Sequence, residues 1–190
     1  TRSGFMLLMS PGGVASQVVL DGTVVFGTTQ VDSAISGLRL LAEDVASSES
    51  QIVADDAVLL DARDGQMLVA YTESLFPEYP RLTRLELHTR GGSEPRVLVE
   101  ALPSEAWINR GKFEQQSVRL VERDAAIWSE SEGRTNRVMR YRDGRIVELA
   151  SGMDVGTSPS LRGGYVLWTA WRDGASELVL AHPDDTTEVL

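Results

Sequence analysis

Tyr165-Val166-Leu167-Trp168-Thr169-Ala170-Trp171-Arg172-Asp173-Gly174-Ala175-Ser176-Glu177-Leu178-Val179-Leu180 reads as two apolar strands around a tight turn. Asp-Gly favours a type I′ turn because both central positions need positive φ. Just upstream, Ser160-Leu161-Arg162-Gly163-Gly164 adds a shorter strand and a glycine turn. The unit is therefore strand, glycine turn, strand ending in an aromatic. It recurs at residues 16–26 and 117–128, and more weakly at 56–69, where Asp64-Gly65 supplies the turn and Val69 replaces the aromatic. The marker positions Phe26, Val69, Trp128 and Trp168 lie 43, 59 and 40 residues apart. That is a period near 42 with an insertion before the third copy, placed at 102–116.

Two further strand-like segments follow each pair, bounded by Gly, Asp, Ser and Pro. The first repeat reads as strands at 16–20, 23–29, 37–42 and 50–54, and the second at 56–62, 67–73, 82–89 and 95–101. The third reads at 117–121, 125–130, 137–142 and 145–150, with Asp143-Gly144 as another two-residue turn. The fourth reads at 159–162, 164–170, 175–181 and 186–190. Helical character is confined to 103–113, inside the insertion, where Ser104 and Glu105 can start one short turn.

Four-stranded units recurring every 40 to 45 residues predict an all-β chain of β-propeller blades, each a twisted antiparallel sheet stacked on its neighbours. The blades are expected at 16–54, 56–101, 117–150 and 159–190. An antiparallel β-sandwich is the alternative, but it does not account for the repeated unit. Stacking predicts inner strands apolar on both faces, as in Val18-Val19-Leu20 and Tyr165-Val166-Leu167-Trp168. It predicts outer strands with a wet face, as in 137–142, whose arginines would lay their stems on apolar surface with the heads in water. The run at 4–10 reads as one extra strand, the outer strand of a preceding blade. With residue 1 a Thr, the expectation is an excised or processed part of a ring of six to eight blades.

Val166-Leu167-Trp168, followed by the charged loop at Arg172-Asp173-Gly174 and the strand Leu178-Val179-Leu180, resembles the bacterial TolB-like propellers. The resemblance touches all four repeats, although the usual Ser-Pro-Asp-Gly entry is only echoed by Ser10-Pro11-Gly12-Gly13 and Ser158-Pro159-Ser160. It implies a propeller fold and a periplasmic or extracellular compartment. It also implies either a stand-alone binding propeller or the propeller domain of an enzyme, such as a serine peptidase gate or a polysaccharide-cleaving propeller.

Composition narrows the function classes. The 190 residues carry 18 Lys plus Arg against 28 Asp plus Glu, a net charge of −10. An acidic surface repels a phosphate backbone and an anionic leaflet alike, so neither nucleic acid nor a membrane surface is an expected partner. The apolar run 5–9 is shorter than the roughly 7 to 15 residues of a signal-peptide core and the roughly 20 of a membrane span, so no membrane insertion is expected. Without cysteine there are no disulfides, thiolate metal sites or cysteine nucleophile.

No Gly-x-Ser-x-Gly elbow, phosphate loop or dinucleotide fingerprint is present. The glycine pairs at 12–13, 91–92 and 163–164 read as turns. His88 and His182 fall near the ends of third strands, outside any metal or base–nucleophile motif. Asp55-Asp56 and Asp184-Asp185 lack the ligand spacing of a calcium loop and read as solvated turns. No catalytic residue, metal or cofactor is therefore assigned.

What remains is one rim of the propeller. Loops from second to third strands, and from each fourth strand to the next blade, emerge together. They carry Tyr79 in 74–80, Trp107 and Arg110 in the insertion, Glu130 and Arg134, and Trp171 and Arg172. Exposed rings beside charged groups suit a protein partner or a small polar ligand, a peptide or a carbohydrate, because rings stack and Arg or Glu orients polar groups. The arginines at 134, 137, 140, 142 and 145 are a second candidate surface, for an acidic ligand or as a solvated face of alternating charges.

Overall fold

The computed structural model describes residues 17–22, 24–30, 38–73, 81–92, 94–100, 121–156 and 159–190. Within them the repeats resolve into four antiparallel sheets, each of four strands in sequence order, and no helix is present. The first holds β1 (Gln17–Asp21), β2 (Val24–Gln30), β3 (Leu38–Asp44) and β4 (Glu49–Asp55). The second holds β5 (Ala57–Arg63), β6 (Gln66–Glu73), β7 (Arg81–Thr89) and β8 (Arg96–Val99). The third holds β9 (Val121–Glu122), β10 (Ala125–Glu132), β11 (Thr135–Arg142) and β12 (Arg145–Gly152). The fourth holds β13 (Ser160–Arg162), β14 (Tyr165–Arg172), β15 (Ala175–Ala181) and β16 (Thr187–Val189). The expected strand at 4–10 and the insertion at 102–116 lie outside the described residues.

The tight turns form as their residues require. Asp64-Gly65, Asp143-Gly144 and Asp173-Gly174 have φ of 53 and 79°, 50 and 81°, and 51 and 80°. These are the paired left-handed values of a type I′ hairpin.

First strands touch in succession, β1 on β5, β5 on β9 and β9 on β13, so the sheets stack as blades with their first strands inside. One apolar cluster, with Val24, Leu40, Ala42, Leu59 and Val69, joins the first and second blades. Another runs through the second, third and fourth blades and includes Leu68, Leu85, Ile127, Trp128, Val138, Val166 and Trp168. The aromatic marker of the repeat faces the preceding blade, where Trp128 and Trp168 are buried. Register places Gly27, and not Phe26, in that position of the first blade, one residue later than the sequence pattern suggests.

Polar side chains fasten blade to blade at the turn between first and second strands. The Asp21 carboxylate accepts the backbone N–H groups of Asp64 (3.0 Å) and Gly65 (2.6 Å) in the next blade. Glu122 accepts those of Gly163 (2.8 Å) and Gly164 (3.0 Å) in the same way. Between the second and third blades that position is Arg63, which reaches forward to Glu122 at 3.1 Å, while Gln66 Oε1 accepts the Asp124 N–H. Buried Asp61 accepts the Val121 N–H.

One expectation is corrected here. Arg140 does not hold its head in water: it is 1% exposed and crosses to the fourth blade. There Nη1 donates to the backbone oxygens of Gly164 and His182, and Nη2 pairs with Asp185. Asp185 lies in the exposed turn that was expected and also serves as an ion-pair partner of Arg140. In the fourth blade Val166 and Trp168 are buried, while Tyr165 is 44% exposed and Leu167 partly exposed.

Candidate functional site

The segment after β12 decides the shape of the rim. Val155 bridges to Ala170, the Gly156 N–H donates to the Thr169 oxygen and the Trp171 N–H to the Asp154 oxygen, both at 2.7 Å. Residues 154–156 thus run beside the end of β14, joined to it by a single bridge. Asn136 Nδ2 donates to the Val155 oxygen at 2.8 Å and so ties the third blade to this segment. Trp171 (60% exposed) and Met153 (72% exposed) stand out here as large apolar side chains in contact with solvent. Two arginines share the rim: Arg134 is exposed in the turn after β10, and Arg172 lies 3.7 Å from Glu177.

Of the sequence candidates, Arg134 lies at the β10–β11 turn of the third blade, and Trp171 and Arg172 lie at the corresponding β14–β15 turn of the fourth. Glu130 is committed to its own blade, because its Oε1 accepts the Trp128 indole N–H at 2.8 Å. Tyr79, Trp107 and Arg110 lie outside the described residues. Met153 was missed by sequence reasoning because nothing local marks residues 154–156 as paired with β14. The arginine row is no open patch: Arg137 pairs with Glu132 and Glu148, and Arg142 with Asp143 and the Pro183 oxygen.

A second concavity of about 900 Å³ opens between the first and second blades. Val24, Ala42, Asp44 and Gln51 line one side, and Met67, His88 and Arg90 the other. Beside it sits a polar cluster built by register, since Tyr71 opposes Arg84 and Val69 opposes Glu86 on one face of the second blade. Buried Glu86 accepts from Arg84 Nη2 at 2.8 Å and from His88 Nε2 at 2.9 Å. The Arg84 guanidinium lies over the Tyr71 ring at 4.4 Å. Among the described residues, no three acidic or histidine side chains are grouped to hold a metal ion.

Burial holds the His88 imidazole below its ordinary 6.5, with Arg84 adding to the effect and Glu86 opposing it. Between the depressed value and 6.5 the unfolded chain binds the extra proton, so this residue withdraws stability as pH falls through that window. Burial, then Glu86, raises the Tyr71 phenol, which withdraws stability as pH climbs past 10. In urea unfolding at pH 7, 6 and 5, wild type should lose stability relative to His88→Gln. Parallel curves for the two proteins would remove His88 from the pH response.

No family model and no curated protein matches the sequence. Solved structures do. A puromycin-hydrolysing peptidase of Mycobacterium tuberculosis aligns with 88% of this chain at 14% identity and a TM-score of 0.53. The β-propeller domain of the trilobed protease of Pyrococcus furiosus, described as having an open velcro topology, aligns with 91% at 11% identity and a TM-score of 0.53. The chain spans 27% and 55% of the lengths of these two proteins. At such identities the likeness is one of fold, and with the four stacked antiparallel sheets it makes this chain a β-propeller segment.

Proposed function

We propose that this chain is a non-catalytic binding scaffold within a larger, exported TolB-like propeller protein, and that it takes a peptide or carbohydrate on the rim of the third and fourth blades. The observation that carries this reading is Trp171, 60% exposed beside exposed Met153 and flanked by Arg172. An indole left in solvent offers a stacking face, and guanidinium groups orient carboxylates or hydroxyls against it. The sequence resemblance to TolB-like repeats supports the wider assignment.

Isothermal titration with a short acidic aromatic peptide and with an oligogalacturonide tests it. One of the two should bind, and Trp171→Ala should weaken that binding about tenfold, or about 1.4 kcal/mol. If neither probe binds, or if Trp171→Ala binds as wild type does, the rim is not the site.

A second reading has its own support, because the two solved structures compared above are a peptidase and the propeller domain of a protease. In that reading this segment is the substrate gate of a serine peptidase. Labelling of the polypeptide from the whole gene by a fluorophosphonate would favour the gate over the scaffold.

A further inference from the structure

The cleft between the first and second blades has a counterpart at each later junction, and register identifies the side chains that stand there. On the face a blade turns toward its successor, third and fourth strands oppose each other through Ala42 and Gln51 in the first blade, Leu87 and Arg96 in the second, and Arg140 and Val147 in the third. The positions are equivalent, because Ala42, Leu87 and Arg140 each face the third residue of their blade's second strand, Phe26, Leu68 and Ile127. The second and third blades thus each place one arginine beside one apolar residue, and the first places none.

Both arginines span their junctions. Arg96 Nη1 donates to the Tyr141 hydroxyl of the third blade, with its guanidinium 5.3 Å from the centre of that ring. Arg140 crosses to the backbone oxygens of Gly164 and His182 in the fourth. In the first junction Ala42 and the glycines at 91 and 92 are too small to fill the same space, and the concavity of about 900 Å³ opens there. His88 takes the register position of Tyr141 on the receiving blade, so a ring again faces the place of the arginine. Charge agrees with the ring. Asp44 opposes Glu49 on the lining of the cleft, where the third blade has Arg142 opposite Arg145. Like charges directly opposite on a sheet repel, which a cation between them relieves. Asp44 Oδ1 accepts the Ala46 and Ser47 N–H groups, and Oδ2 lies 3.7 Å from Arg90, an exposed pair that water weakens.

We propose that this cleft binds an alkyl guanidinium, the side chain of free arginine or of an arginyl peptide. Its stem lies along Val24, Ala42 and Met67, and its planar head stacks on His88 within reach of the Asp44 and Glu49 carboxylates. The ligand brings from outside the arginine that the second and third blades supply from their own strands. The cleft sits where β2 and β6 begin and β3 and β7 end, at the opposite end of the strands from the turn that carries Trp171. It is therefore separate from the rim and does not rest on the reading given for it.

Isothermal titration with acetyl-arginine amide tests the proposal, with acetyl-citrulline amide as the uncharged control. The arginine probe should bind saturably with a Kd of about 1 mM, and the citrulline probe should not bind. An acetylated and amidated Gly-Gly-Arg-Gly-Gly that binds at least about tenfold tighter identifies a peptide as the source, and equal affinity identifies the side chain alone. Gln51→Arg sets an arginine where Arg96 stands, at an exposed position outside the core, and should abolish binding. Glu49→Gln should weaken it about threefold to fivefold, whereas Trp171→Ala should bind the arginine probe as wild type does. Absence of saturable heat, equal binding of the citrulline probe, or wild-type affinity in Gln51→Arg overturns the proposal. Loss of binding in Trp171→Ala does so too, because it would put the guanidinium on the rim.

Discussion

Arg140→Met should be strongly destabilising, lowering the unfolding free energy by about 3 kcal/mol. Breaking a buried charged interaction costs about 3 to 5 kcal/mol when it strands a partner. The lower end applies because Asp185 is well exposed and regains water once the guanidinium is gone. The larger part of the loss lies in the backbone oxygens of Gly164 and His182, which take hydrogen bonds from Nη1 at 3.3 and 3.0 Å. A buried acceptor left without a donor costs about 1 to 3 kcal/mol. Methionine keeps much of the apolar stem, so a cavity contributes little. Burial and the neighbouring Arg142 lower the Arg140 pKa, with Asp184 opposing, yet a guanidinium keeps its proton in proteins.

Arg140→Lys separates charge from geometry, because one ammonium cannot reproduce the planar spread of donors that spans the turn at Gly164 and the loop at His182–Asp185. It should recover part of the loss and no more. At about 2 to 4 °C per kcal/mol for a chain of this size, the methionine variant should melt about 6 to 12 °C below wild type. Equal melting temperatures and urea midpoints for Arg140→Met and wild type would show that the third and fourth blades are held by their apolar cluster alone.

These side chains also mark where sequence reading stops. The strands were legible because their signals are local: alternating or continuous apolar runs of five to eight residues, punctuated by Asp-Gly turns whose φ values came out positive at Asp64, Asp143 and Asp173. Stacking was legible from the repeat, since Trp128 and Trp168 sit at one register position and are buried on the same side of their sheets. Phe26 misled by one residue because a single aromatic beside a turn fixes register less tightly than the turn itself. The cross-blade partners were not legible. Asp21 and Gly65, Glu122 and Gly163, and Arg140 and His182 are 44, 41 and 42 residues apart, one repeat each, and nothing local links them. Arg140 in particular sits in an alternating charged strand that reads as solvated, and only the loop of the following blade turns it into a buried strut. At the rim, Trp171 and Arg172 were visible as a ring beside a charge, whereas Glu130's tie to Trp128 depends on which face of β10 both share.

Glu122→Ala should follow closely, with a loss of about 2 to 3 kcal/mol. Three donors converge on this one carboxylate: the Gly163 and Gly164 amides of the fourth blade and the Arg63 guanidinium of the second. Its side chain is only 14% exposed, so water replaces the lost acceptors poorly. Hydrogen bonds to an ionised group each contribute about 1.5 to 3 kcal/mol, but partly exposed amides and a half-buried Arg63 recover some solvation, which keeps the sum near that of a single strong bond. Gly163 and Gly164 take φ of 61 and 80°, so the turn itself stays accessible to the chain without the carboxylate. What is lost is its docking onto the third blade. Glu122→Gln gives the sharper test, because an amide oxygen can accept from one or both glycine N–H groups while its NH2 group faces the cation of Arg63. It should retain about half of the stabilisation, and Arg63→Met in the Glu122→Gln background should then cost less than Arg63→Met alone. If the double-mutant cycle instead shows the two residues acting independently, the charged relay from second to third to fourth blade is not a unit.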